Sequence, residues 1–196
     1  MPIRLLSDST SSTSCCADED GDVTQSANSV HFFADVTRRT IVRLAECLEK
    51  ASQYAMQHFD PASDNYTVYL YIMSPGGDAH AGLAGMDLVR NSRVPVTTVS
   101  NGLVASAATF LLLGGTYRAA MKHSVLLIHE LSTSFWGKYS DLAEELSNST
   151  IVMGIIKKVY LDSTKIRGPE LEQMLKKDTH LVADECLKHG FVHAVW

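Results

Sequence analysis

The sequence predicts an α/β domain with a largely parallel sheet, and three observations point there. Short β-branched and aromatic runs recur between segments whose apolar residues follow helical spacing. Turns bearing glycine and proline separate the two kinds of segment. The 196 residues are 45% hydrophobic and 20% charged, enough to bury one sizeable core without a disulfide or metal staple. Strands separated by helices imply βαβ units with right-handed crossovers.

The elements follow in order. Residues 7–29 are polar and low in complexity, so residues 1–29 are expected to form a flexible arm and residues 30–196 the folded domain. Val30–Val36 reads as a strand. Thr37 suits an N-cap for a helix to His58, with Ile41, Leu44, Ala45 and Leu48 on one face. After a polar loop, Tyr66–Met73 is a strand, broken by Ser74-Pro75-Gly76-Gly77. A helix is expected over Ala79–Arg90 and a strand over Val94–Val99. Asn101-Gly102 is expected to turn the chain into an apolar helix over Val104–Leu113. Tyr117–Met121 and Val125–Ile128 read as strands. Lys138 to about Ile166 reads as a long amphipathic helix carrying Leu142, Leu146, Ile156 and Val159. Gly168-Pro169 punctuates it, short helices follow over Glu170–Lys176 and Ala183–His189, and Phe191–Trp196 closes in extended form.

Charge and cysteine content exclude several classes. There are 17 Lys and Arg against 22 Asp and Glu, a net charge of −5, which disfavours nucleic acid as a partner. No uncharged apolar run is long enough to span a membrane. Cys15, Cys16, Cys47 and Cys186 show no CxxC pair and no metal-ligand spacing. Met1–Leu6 is too short for the apolar region of a signal peptide, and Asp18, Glu19, Asp20 and Asp22 argue against a transit peptide. A reducing cytoplasm fits best.

Three segments could carry chemistry. Ser74-Pro75-Gly76-Gly77 lies between a strand and a helix, where glycines free backbone N–H groups to face a ligand; a plain turn is the other reading. Ser106 sits among small residues in Gly102–Ala108, outside the GxSxG pattern; a helix serine bonding its own backbone is the bland reading. His129 ends the apolar run Leu126-Leu127-Ile128, where core histidines are common but where open α/β sheets also place active groups. A nucleophile, a base and oxyanion donors belong together in acyl transfer. The orienting carboxylate stays open, because spacing does not choose among thirteen aspartates.

These strings resemble a known family. Tyr71-Ile72-Met73-Ser74-Pro75-Gly76-Gly77 is similar to the Y-I-N-S-P-G-G of the Clp protease proteolytic subunit (ClpP) family. Gly102–Ala107 is similar to its G-x-A-A-S-M, and Leu127-Ile128-His129 to its M-I-H-Q-P. Lys177–Ala183 is similar to its R-D-R-F-L-S-A, and Glu185–His193 to the E-A-x-x-Y-G-L-I-D that follows. The similarity runs from about Val30 to Val195. This chain departs at Met73, at Glu130-Leu131, at Ser132–Gly137 in place of a Gly-rich piece, and at Lys177 in place of Arg.

The resemblance implies a crotonase-like βαβ spiral with a long handle helix, and a serine endopeptidase. It implies Ser106 as nucleophile, His129 as general base and Asp178 as orienter, with Asp184 the next candidate. Backbone N–H groups of Gly77 and Ala107 would form the oxyanion hole. It further implies a self-compartmentalising assembly of heptameric rings, stacked as a tetradecamer. An AAA+ unfoldase of the ClpX, ClpA or ClpC type would deliver unfolded polypeptides. No metal or other cofactor is expected in this chain. No phosphate loop is present, so ATP use falls to the partner. The alternatives are a noncatalytic ring subunit, a phage-type processing protease without an unfoldase, an acyl-CoA hydratase or isomerase on the same fold, and a Ser-Lys peptidase using Lys122.

Overall fold

The computed structural model describes residues 22–196. Most of the expected polar arm, including Cys15 and Cys16, lies outside the described residues. The last part of that arm is a correction. Val23–Ser26 (β1) pairs antiparallel with Ser29–Phe32 (β2), and the turn between them places Ala27 at φ 51°. Val23 is buried, so this polar-looking segment still contributes to the core.

β2 stops at Phe32, earlier than expected. Helix α1 (Arg38–His58) starts at Thr37, whose Oγ1 accepts from Thr40 N at 3.2 Å while Thr37 N donates to Thr40 Oγ1 at 2.9 Å. Its buried stripe of Ile41, Leu44 and Leu48 follows the predicted spacing. Strand β3 (Val68–Ser74) runs parallel to β2, and helix α2 (Ala79–Arg90) follows. Asp78 Oδ1 accepts from Ala81 N at 2.6 Å and caps α2.

The largest departure from expectation is β4 (Val96–Ala105), which does not end at Asn101-Gly102. Gly102 takes φ 73° and bends the strand instead of ending it. Before the bend, Thr97–Ser100 pair in parallel with β5 (Tyr117–Ala120); after it, Leu103–Ala105 pair in parallel with β6 (Val125–Ile128). The helix expected from Val104 begins later, as the wholly buried α3 (Ala108–Gly114).

Beyond β6 come α4 (Tyr139–Ser163), α5 (Gly168–Lys176), β7 (Thr179–Val182), α6 (Ala183–His189) and β8 (Ala194–Val195). The sheet order is β1-β2-β3-β4-β5-β8, with β6 and then β7 branching from β4. Pairings are parallel except β1 with β2 and β6 with β7. The expected α/β class with a largely parallel sheet is therefore observed. Arg118 fastens the outer elements: its Nη1 donates to Ser163 O at 2.9 Å and its Nη2 to Gly190 O at 3.1 Å.

Helix α4 differs from the amphipathic expectation. Ile156 and Tyr160 are buried, but Leu142, Leu146, Ile151 and Ile155 are exposed. The first half of α4 stands away from this chain's core. Leu126 sits in the middle of that core, fully buried on β6. Leu126→Ala should lower the unfolding free energy by about 2–5 kcal/mol through lost burial and a cavity, read from the shift of a urea denaturation midpoint.

Candidate active site

The exchange of partners along β4 brings three strand ends together. Ala105 pairs with Leu127, and Ile128 pairs with Thr179. One residue beyond these pairs stand Ser106 after β4, His129 after β6 and Asp178 before β7. A hydroxyl, an imidazole and a carboxylate thus occupy neighbouring positions on one edge of the sheet.

Ser106 is held on a tight bend. Its N–H donates to Leu127 O at 2.8 Å, and its φ is 54°. Only Ala27, Ser106 and Asp178 among the described non-glycine residues have positive φ, so two of three strained backbones fall on site candidates. Gly76 packs against the bend. A Cβ there would lie 2.7 Å from both Ala105 O and Ser106 Cβ. Gly77, at φ 144°, sits against Val36, and a Cβ would meet the Val36 carbonyl oxygen. Val36 N donates to Gly76 O at 2.7 Å and Asp78 N donates to Val36 O at 2.8 Å, which fixes the glycine turn.

Those bonds leave donors over. The N–H groups of Gly77 and Ala107 have no acceptor among the described residues. Gly77, Ser106, Ala107 and His129 line one cavity of about 100 Å³. Phe110, Ile156 and Tyr160 close it from the apolar side. The cavity therefore gathers a hydroxyl, an imidazole and two unused backbone donors.

His129 is half-buried, and its Nδ1 lies 2.6 Å from Glu130 O. A carbonyl only accepts, so Nδ1 carries a proton in this contact, and in the neutral imidazole the lone pair is then on Nε2. That is the tautomer a general base toward a serine requires. Among the described residues no hydrogen bond joins Ser106 to His129, or His129 to Asp178. Asp178 is exposed, and with His129 it lines a second, more open cavity. Asp184 lies past the other end of β7, on the exposed first turn of α6. Lys122 is exposed on the turn before β6, at the opposite end of that strand from His129.

Two residues that the sequence did not single out touch the site. Thr109 Oγ1 donates to Ser106 O at 2.6 Å and lies 2.7 Å from the hydroxyl of Tyr160. Burial pushes the Tyr160 phenol well above the usual tyrosine range. Trp136, within the divergent Ser132–Gly137 stretch, is 97% exposed. Cys47 and Cys186 are buried, and burial pushes the Cys186 thiol up to about 12. Among the described residues no group of three or more His, Cys, Asp and Glu could hold a metal ion. No described helix is long and apolar enough to cross a membrane.

Fold and site together define an α/β protein with a polar cluster at the ends of its central strands. A family model described as Clp protease matches residues 25–196. The chain is 30% identical over 176 residues to an ATP-dependent Clp protease proteolytic subunit of Oltmannsiellopsis viridis, covering 87% of this chain and 90% of that protein. It is 30% identical over 143 residues to the subunit of the same name from Chara vulgaris, covering 71% and 65%. It is 32% identical over 143 residues to proteolytic subunit 2 of Prochlorococcus marinus, covering 71% and 70%. The chain spans just under two thirds of the length of the relatives from Chara vulgaris and Ostreococcus tauri. The chain belongs to the Clp protease family, as a divergent member.

The glycine turn yields a structural test. Gly76→Ala adds a methyl where backbone already stands and forces an L side chain to φ 99°. It should cost more than about 1 kcal/mol of stability, seen as a lower denaturation midpoint.

Proposed function

We propose that this chain is the serine endopeptidase subunit of a self-compartmentalising, ATP-dependent Clp-type protease. The observation that carries the reading is the placement of Ser106, His129 and Asp178 at three adjacent strand ends, beside two unused N–H donors. The family membership supports peptide-bond hydrolysis as the chemistry.

In the proposed cycle His129 Nε2 accepts the proton of Ser106 Oγ as that oxygen attacks a peptide carbonyl. The carbonyl oxygen gains the negative charge and is met by the N–H groups of Gly77 and Ala107. His129 then gives its proton to the departing amine, leaving an acyl-serine. Water attacks this ester with His129 again as base, and the peptide acid and the serine hydroxyl are released. Asp178 accepts from His129 Nδ1–H in the working state, displacing the Glu130 carbonyl that holds it in this chain alone. No metal or other cofactor takes part in this chain.

The apolar residues Leu142, Leu146, Ile151 and Ile155 on α4 support self-assembly, because they stay exposed in the described chain. Heptameric rings, stacked as a tetradecamer around a chamber, would cover these residues between subunits. The relatives are ATP-dependent proteolytic subunits, which supports an AAA+ unfoldase as the partner that delivers unfolded polypeptide. Such a protease would work in the cytoplasm or an organelle, with no nucleic-acid partner. The hydrogen bond from His129 to Glu130 O favours one second reading, a ring subunit whose triad stays unassembled.

Turnover of a fluorogenic peptide by the assembled protein separates the two. Ser106→Ala and His129→Ala should each lower kcat by about 10⁶-fold, the cost of removing a member of such a unit. Asp178→Asn should cost on the order of 10⁴-fold, whereas Asp184→Asn should leave kcat within about twofold. Turnover that survives Ser106→Ala, or no turnover in a particle of ring size, contradicts the serine endopeptidase.

A further inference from the structure

Ser106 C=O and Ala107 N–H are the two ends of one planar peptide, so fixing one fixes the other. The carbonyl end is bound twice, by Thr109 N at 2.9 Å and by Thr109 Oγ1 at 2.6 Å. Thr109 has a single hydroxyl proton, and Ser106 O can only accept, so that proton is committed. The Tyr160 hydroxyl, 2.7 Å from Thr109 Oγ1, must therefore be the donor between those two. The direction of the chain is set: Tyr160 O–H to Thr109 Oγ1, and Thr109 O–H to Ser106 O.

This relay is dry and rigid. Thr109 is fully buried and Tyr160 is 1% exposed. The Tyr160 ring packs against Phe110 and Phe191 at centroid distances of 5.7 and 6.0 Å. The peptide it holds is one that strain works against. Ser106 stands at φ 54°, and a flip of the plane after it would turn Ala107 N–H away from the cavity that Ser106 and His129 share. Hydrogen bonds in series polarise one another in a low-dielectric interior, so the Tyr160 donor strengthens the grip of Thr109 on the carbonyl.

We propose that Tyr160 and Thr109 are positioning residues for the reaction, a relay that locks the Ser106–Ala107 peptide so that Ala107 N–H faces the developing oxyanion. The inference rests on the serine endopeptidase reading and adds to it two side chains, one from α3 and one from α4.

The test uses the assembled protein, with kcat and KM on a fluorogenic peptide, thermal melting and particle size read for every variant. Thr109→Val removes the hydroxyl at constant shape and Tyr160→Phe removes the donor. Each should lower kcat about 10-fold or more, below the 10²–10³-fold lost with a whole oxyanion donor, while KM stays within about twofold. Thr109→Ser keeps the hydroxyl and should stay near the wild type. The decisive variant is the double change Thr109→Val with Tyr160→Phe. It replaces both buried polar partners by apolar groups of the same shape, which restores stability. The relay predicts that its kcat stays low although its melting temperature recovers. Recovery of kcat together with stability would reduce the pair to a structural contact and overturn the proposal. A wild-type protein without Ser106-dependent turnover overturns the endopeptidase reading itself, and the relay falls with it.

Discussion

At Gly102 strand β4 leaves β5 and takes β6 as its partner, and the three side chains of the candidate site are brought together by that exchange. Were β4 to run straight, its end would stay beside β5 and Ser106 would not meet the end of β6. The bend needs a left-handed residue in mid-strand, which glycine supplies without a Cβ penalty. Ser106 N is then bound by Leu127 O, and β7 pairs with the far side of β6, so hydroxyl, imidazole and carboxylate follow from one register. Side-chain chemistry at this edge is thus a product of backbone pairing.

The second constraint is close backbone approach. Gly76 leaves no room for a side chain beside Ser106, and Gly77 leaves none beside Val36. Their turn, tied to Val36 on both sides, leaves the Gly77 N–H without an acceptor among the described residues, and Gly77 lines the same cavity as Ala107. The buried helix α3 follows directly, so the Ser106 bend is anchored in the core. Strain at φ 54° on Ser106 costs on the order of 1–3 kcal/mol and persists only because the surroundings over-determine it.

Much of this was legible in the sequence where local rules decide. Thr37 as N-cap, α2 over Ala79–Arg90 and α6 over Ala183–His189 follow from capping and apolar spacing. Val23–Ser26 was not legible, because a polar strand is stabilised by pairing with β2 and by one buried valine, which composition does not reveal. Asn101-Gly102 reads as a reversal in the sequence because the same glycine geometry serves a reversal or a strand bend, and only the partner strand chooses. At the site, Ser106 and His129 stood out by neighbourhood, and Asp178 only through the family resemblance. The pairing of Ile128 with Thr179 gives a physical reason for Asp178 over Asp184. Thr109 and Tyr160 lie 51 positions apart, and no periodicity couples them.

The central claim is that one sheet edge gathers a nucleophile, a base and two amide donors. It is tested most directly by the structure of the assembled protein after reaction with a fluorophosphonate. The account predicts phosphorus on Ser106 Oγ, its oxygen about 2.7–3.1 Å from both Gly77 N and Ala107 N, and His129 Nε2 in hydrogen-bond reach of Oγ. An adduct on another residue, or one on Ser106 whose oxygen meets neither amide, would contradict it.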